Sequence, residues 1–100
     1  MLVTISKLGT DGAGGYIDGR VCQGPLRIGD TFSMMIGHDK RLEDGLWIPM
    51  DTGAPVAITL RVSKLTAYAR DLDVIEEGLT CRIHLTGSGF ELLTEGRLLK

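Results

Sequence analysis

The chain has little that would announce a chemistry. Among its 100 residues are five aromatics, two cysteines and three prolines. No apolar run reaches the roughly 18 residues that a membrane-crossing helix needs, so no membrane span is expected. The start, Met1-Leu2-Val3-Thr4-Ile5-Ser6-Lys7, has no basic stretch followed by an apolar one, so no signal peptide is expected. A basic excess is also missing, since the net charge is -2. General nucleic-acid binders carry such an excess to displace counterions from phosphate, so general nucleic-acid binding is not expected. A local basic patch stays open. Cys22 and Cys81 lie far apart, and no CxxC or close Cys/His grouping occurs. That spacing speaks against a zinc site and suits two reduced thiols in a cytoplasmic protein. No metal or cofactor is expected.

What is present is the balance of an ordinary folded domain, with 43% hydrophobic and 24% charged residues. This length makes one domain over 1–100. Several stretches alternate with a period of two. Val3 and Ile5 alternate with Thr4 and Ser6. Ile17, Gly19 and Val21 alternate with Tyr16, Asp18, Arg20 and Cys22. Val56, Ile58, Leu60 and Val62 do so with Ala57, Thr59 and Arg61. Cys81, Ile83 and Leu85 do so with Arg82, His84 and Thr86. Period two marks strands with one face inward. Val, Ile and Thr, which dominate these runs, suit a pleated sheet.

Glycines fall between the runs. Gly9, Gly12, Gly14 and Gly15 punctuate the first connection, and Gly29-Asp30 reads as a turn after Leu26-Arg27-Ile28. Gly19 falls on an inward position, where a small barrel has little room. The interior is expected from Val21, Ile28, Phe32, Met34, Ile58, Leu60, Val62, Ile83, Leu85 and Leu98. Residues 67–77 read better as a long loop or strand end than as a helix. Residues 37–55 form a polar excursion with the sole tryptophan and two of the three prolines. It reads as a long inserted loop, with a small hairpin around 46–50. Many short strands with such punctuation point to an all-β, antiparallel barrel of six or seven strands.

The stretch Gly14-Gly15-Tyr16-Ile17-Asp18-Gly19-Arg20-Val21-Cys22-Gln23-Gly24-Pro25-Leu26-Arg27-Ile28-Gly29-Asp30 resembles the opening of the second domain of translational GTPases, such as elongation factors Tu and G. There, a glycine precedes a strand ending Gly-Arg-Val or Gly-Arg-Ile. A glycine, a short basic-apolar piece and Gly-Asp or Gly-Glu follow. Leu60-Arg61-Val62-Ser63-Lys64-Leu65, Val74-Ile75-Glu76-Glu77-Gly78, Arg82-Ile83-His84-Leu85-Thr86-Gly87 and Glu95-Gly96-Arg97-Leu98-Leu99 resemble later parts of the same barrel. The resemblance covers nearly all of the chain outside 37–55. It implies the translation-factor domain II barrel and a place in the translation apparatus. Two departures stand out. Thr86 occupies the position that is basic in elongation factor Tu, which weighs against carrying over tRNA binding. No GxxxxGK[ST] phosphate loop occurs either, because Gly9 to Gly15 lacks the lysine and the following hydroxyl residue.

Catalytic motifs are missing: there is no Gly-x-Ser-x-Gly elbow and no His-Glu-x-x-His. His38 and His84 are the only histidines, and neither has a readable partner set. The chain is therefore read as no enzyme. Six residues are candidates for partner binding. Arg61, Arg82 and His84, outward on strands, form either a small basic patch or ordinary surface groups paired with acids. Trp47 and Arg41 lie in the excursion, where Trp is either an interface anchor or a cover for an open barrel end. Tyr16 ends the Gly12–Tyr16 turn, whose amides could meet an anion or peptide. The resulting expectation is a non-catalytic module docking on a protein or ribonucleoprotein partner. The alternative is a small-ligand or regulatory barrel with the excursion as lid, and a homo-oligomer stays open.

Overall fold

A computed structural model describes residues 1–12, 14–37, 39–43, 45–50 and 55–100, with the side chains of 39–43 and 46–50 excepted. In chain order the strands are β1 (Leu2–Thr4), β2 (Lys7–Asp11), β3 (Gly14–Gln23), β4 (Leu26–Arg27), β5 (Thr31–Ile36), β6 (Asp39–Glu43), β7 (Leu46–Met50), β8 (Val56–Ala67), β9 (Arg70–Leu72), β10 (Val74–Ile75), β11 (Thr80–Ser88) and β12 (Leu98–Leu99). A 3-10 turn, Phe90–Leu92, precedes β12. No helix among the described residues is long and apolar enough to cross a membrane.

Alternation becomes a closed barrel. The strands run β1-β12-β5-β8-β11-β3, and β3 pairs back with β1. Every pairing is antiparallel. β2 hangs outside on β3, and β9 on β8. Short ribbons β4–β10 and β6–β7 complete the chain. The expected excursion is thus partly the hairpin β6–β7.

Ile17, Val21, Leu60, Val62, Ile83 and Leu99 are fully buried, with Phe32 the largest of the buried side chains. Each such burial contributes roughly 1.5–3 kcal/mol before chain entropy is charged against it.

Two expected core residues are placed otherwise. Ile28 is 45% exposed, because it sits in the turn where its amide donates to the Asp73 carbonyl. Met34 is only half-buried, and Met35 takes the inward place. A bulge in β5 is the cause: the amides of Ser33 and Met34 both donate to the Lys100 carbonyl, which resets the alternation after Phe32. Residues 7–11, expected as a connection, are strand β2. Residues 67–77 hold a hairpin, with Tyr68 and Ala69 at φ 54° and 58°. Two successive positive φ values make the turn that matches strand twist, although Tyr-Ala lacks the usual Asn-Gly signal. The Gly29-Asp30 turn stands as expected, since Asp30 Oδ2 accepts from the Arg27 amide at 2.8 Å.

Gly19 is inward and buried, for a more specific reason than barrel size. A Cβ there would overlap the Thr4 carbonyl oxygen and press on Val3. The Arg20 amide donates to Thr4 Oγ1 at 2.9 Å, and the Ser6 amide donates to the Asp18 carbonyl at 2.8 Å. The chain from Thr4 to Ser6 therefore lies directly across Gly19. Replacing Gly19 with Ala should lower the unfolding free energy by about 3 kcal/mol in urea titration. Gly12→Ala, where a Cβ meets nothing within 4 Å, should stay within about 0.5 kcal/mol of the parent.

Cys81 lies opposite Gly19 in the barrel wall and is 5% exposed. Burial, and then the nearby Asp18 carboxylate, push its thiol up to about 11 from an ordinary 9.0. The unfolded chain therefore releases this proton first as pH rises, and stability falls between pH 9 and 11. Unfolding midpoints across that window should fall more steeply for the parent than for Cys81→Ala. Equal slopes would remove the assignment.

Candidate functional site

The outer face of β2, β3, β11 and β8 carries a row structure set by register. One row runs Gly9, Tyr16, His84, Lys64. The next runs Lys7, Asp18, Arg82, Thr66, and then Asp71 on β9. Cross-strand partners in such rows sit close enough for side chains to touch, and diagonal ones are within reach of long side chains.

Gly9 makes the first row work. A Cβ there would overlap the Tyr16 hydroxyl, so the phenol ring lies across the bare backbone of β2. Arg82, diagonal to Tyr16, stacks its guanidinium carbon 4.0 Å from the ring centroid. The same guanidinium is held by Asp18, with Nε donating to Oδ1 at 2.8 Å and Nη2 to Oδ2 at 3.2 Å. These hydrogen bonds raise the already high pKa of Arg82. Lysine would not reproduce this bidentate, stacked arrangement.

His84 stands on the outward side of β11 yet is 4% exposed. The Tyr16 ring covers it, with centroids 5.7 Å apart and planes tilted by 53°. Its Nε2 meets Asp11 Oδ2 at 2.8 Å, which assigns the ring proton to Nε2 in the neutral form. Asp11 reaches it from the end of β2. Nδ1 is buried and has no partner among the described residues. A bulge in β8 adjoins this point: Ser63 is the extra residue, and its hydroxyl donates to the His84 carbonyl at 3.2 Å.

Of the six expected residues, the structure brings Tyr16, Arg82 and His84 together. Arg61 lies on the outer face of β8 but opposite Thr31 and Thr86, and its Nη2 is 3.6 Å from where a Cβ on Gly29 would stand. It stands one row beyond His84 on the same outer face, and among the described residues no hydrogen bond joins it to Tyr16, Arg82 or His84. The side chains of Arg41 and Trp47, and all of His38, lie outside the described residues. Arg82 and His84 each face a carboxylate, so together they do not make a basic patch. Of the Gly12–Tyr16 stretch, Gly14–Tyr16 belong to β3 and pair with Gly9–Asp11 of β2, so they are not a loop of open amides.

Asp18 and Asp11 were not foreseen as members. Alternation already places Asp18 on the face of Tyr16, so its signal was present in the sequence. Asp11 had none, because Lys7–Asp11 shows no apolar alternation. Among the described residues, no group of three or more His, Cys, Asp or Glu is placed to hold a metal ion. A scan of protein-family models and a search of curated proteins return no match to this chain.

Removing Asp11 leaves a buried ring N–H unsatisfied. A double-mutant cycle over Asp11→Ala and His84→Phe should return a coupling of about 1–2 kcal/mol in chemical unfolding. Additivity of the two changes would show that the contact contributes nothing.

Proposed function

We propose that this barrel is a non-catalytic module that docks on a protein or ribonucleoprotein partner through the Tyr16–Arg82 surface. The observation that carries the reading is the pre-ordered guanidinium. Asp18 and the Tyr16 ring hold Arg82 in one position before any partner arrives. The Arg82 side chain remains 40% exposed. Arginine has five N–H donors, and Asp18 uses two, so donors remain for a partner's carboxylate or phosphate. Tyr and Arg are the residue types that dominate interface energies, and a group already ordered loses less entropy on binding. The likeness of the sequence to the second domain of translational GTPases supports the translation apparatus as the setting.

Catalysis is the weaker reading. Asp11 and His84 have the form of a dyad, but Nε2 is engaged by Asp11 and Nδ1 is sealed from solvent. Neither nitrogen reaches a substrate proton.

Sedimentation with ribosomal particles on a gradient, alongside quantitative capture from extract, tests the proposal. The parent should co-sediment. The Tyr16→Ala/Arg82→Ala double variant should lose about tenfold in apparent affinity, equivalent to roughly 1.4 kcal/mol. A parent that finds no partner, or a variant that binds as well, overturns it.

A further inference from the structure

β2 is the end strand of the main sheet. It pairs with β3 on one side, and among the described residues no strand lies on the other. Two contacts fix the direction of its backbone groups. The Ser6 amide donates to the carbonyl of Asp18, the register partner of Lys7. The Leu8 amide points away from β3 and donates to Glu95 Oε1 at 3.3 Å. Hydrogen-bonding direction alternates along a strand. Lys7, Gly9 and Asp11 therefore bond toward β3, and Leu8 and Thr10 present N–H and C=O to the open side. The side chains are patterned about the middle of the strand. Lys7 and Asp11 carry opposite charges two positions either side of Gly9, and all three positions share the outer face. Lys7 is exposed and joins no ion pair among the described residues. Asp11 meets His84 and still has a 40% exposed side chain.

We infer that β2 is the seam of a two-fold dimer, in which a second copy lays its own β2 antiparallel to this one with the axis at Gly9. Leu8 then faces the second copy's Thr10, and each such pair exchanges two backbone hydrogen bonds, with the Leu8 amide leaving Glu95. Lys7 faces the second copy's Asp11, and the symmetry makes this contact twice. Opposite charges directly across a ladder stabilise it, and like charges oppose it. An axis at Leu8 or at Thr10 would keep the same backbone parity but separate Lys7 from Asp11, so the charges select Gly9. Glycine there places no side chain of β2 against its own copy. A foreign strand could meet the same backbone groups, but the self-complementary charges favour a second copy. Arg82 lies on β11, two strands in from the seam, so its exposed donors stay open in the dimer. The inference does not rest on the docking reading above.

A seam of two five-residue strands is small, so self-association is expected at concentrations on the order of 1 mM. Sedimentation equilibrium and NMR diffusion of the whole chain should pass from monomer to dimer as that concentration is approached. In an equal mixture of isotope-labelled and unlabelled chain, the Gly9 Hα protons of the two copies should show a direct contact, because partners at a non-hydrogen-bonded position approach closest. Thr10→Pro removes an outward N–H and no bond to β3, and should raise the dimer dissociation constant roughly tenfold. Lys7→Glu sets like charges across the seam and should raise it about threefold, less at high salt. The amide spectrum of the dilute monomer checks that each variant folds. A chain that stays monomeric overturns the inference, even where it captures a strand from another protein. A dimer without the Gly9 contact also overturns it, as does a folded Thr10→Pro variant that dimerises as well as the parent. The Gly9 contact is read on the parent chain, so it decides the matter where a variant does not fold.

Discussion

The barrel depends on closure by a strand of only three residues. β1 pairs with β12 on one side and β3 on the other, and so joins the two ends of the sheet. Closure removes the two open edges that a six-stranded sheet would otherwise present. It also covers Val3, Ile5, Val21 and Leu99, all of which are buried. The joint is tight because the Thr4 carbonyl sits against the Cα of Gly19. A side chain at that position would push Thr4 of β1 away from β3.

A polar layer of side chains lies on the outer face where β2 joins the sheet. After Ser6 the chain keeps the direction of β1 and pairs, as β2, with the next part of the same edge of β3. β2 thus extends the same sheet beyond the closed barrel. Gly9 admits Tyr16, Tyr16 covers His84, and Asp11 satisfies Nε2 of that ring. A histidine on an outward position thereby becomes as buried as core leucines. Arg82 and Asp18 close the arrangement beside it. The layer is made of charged and aromatic groups whose partners lie on different strands, so it orders a surface without requiring a larger core. This order gives the exposed part of Arg82 a defined direction.

Much of the architecture was legible because period-two alternation is a local signal. Ile17, Gly19 and Val21, and likewise Cys81, Ile83 and Leu85, face inward as read. The errors fall where local signals do not operate. Met35 replaces Met34 because a bulge in β5 is set by the carbonyl of Lys100, far along the chain. β2 escaped notice because a strand added outside the barrel has no apolar face to alternate. The tight turn at Tyr68-Ala69 escaped because the twist of β8 and β9 imposes positive φ on residues that do not prefer it. The outer cluster was half legible: Tyr16, Arg82 and His84 stood out as types, whereas their carboxylate partners depended on register.

By itself, the sequence determined the all-β class, the inward faces of the main strands and the place of the Gly29-Asp30 turn. Each of these follows from side chains within a few residues of one another, where alternation, β-branching and turn chemistry act. Only the tertiary structure decided that the barrel has six strands, that Gly19 is held by a carbonyl fifteen residues earlier, and that His84 is buried with Asp11. Those outcomes depend on pairing between distant segments. A one-residue bulge there changes which side chains meet, and no local propensity records it.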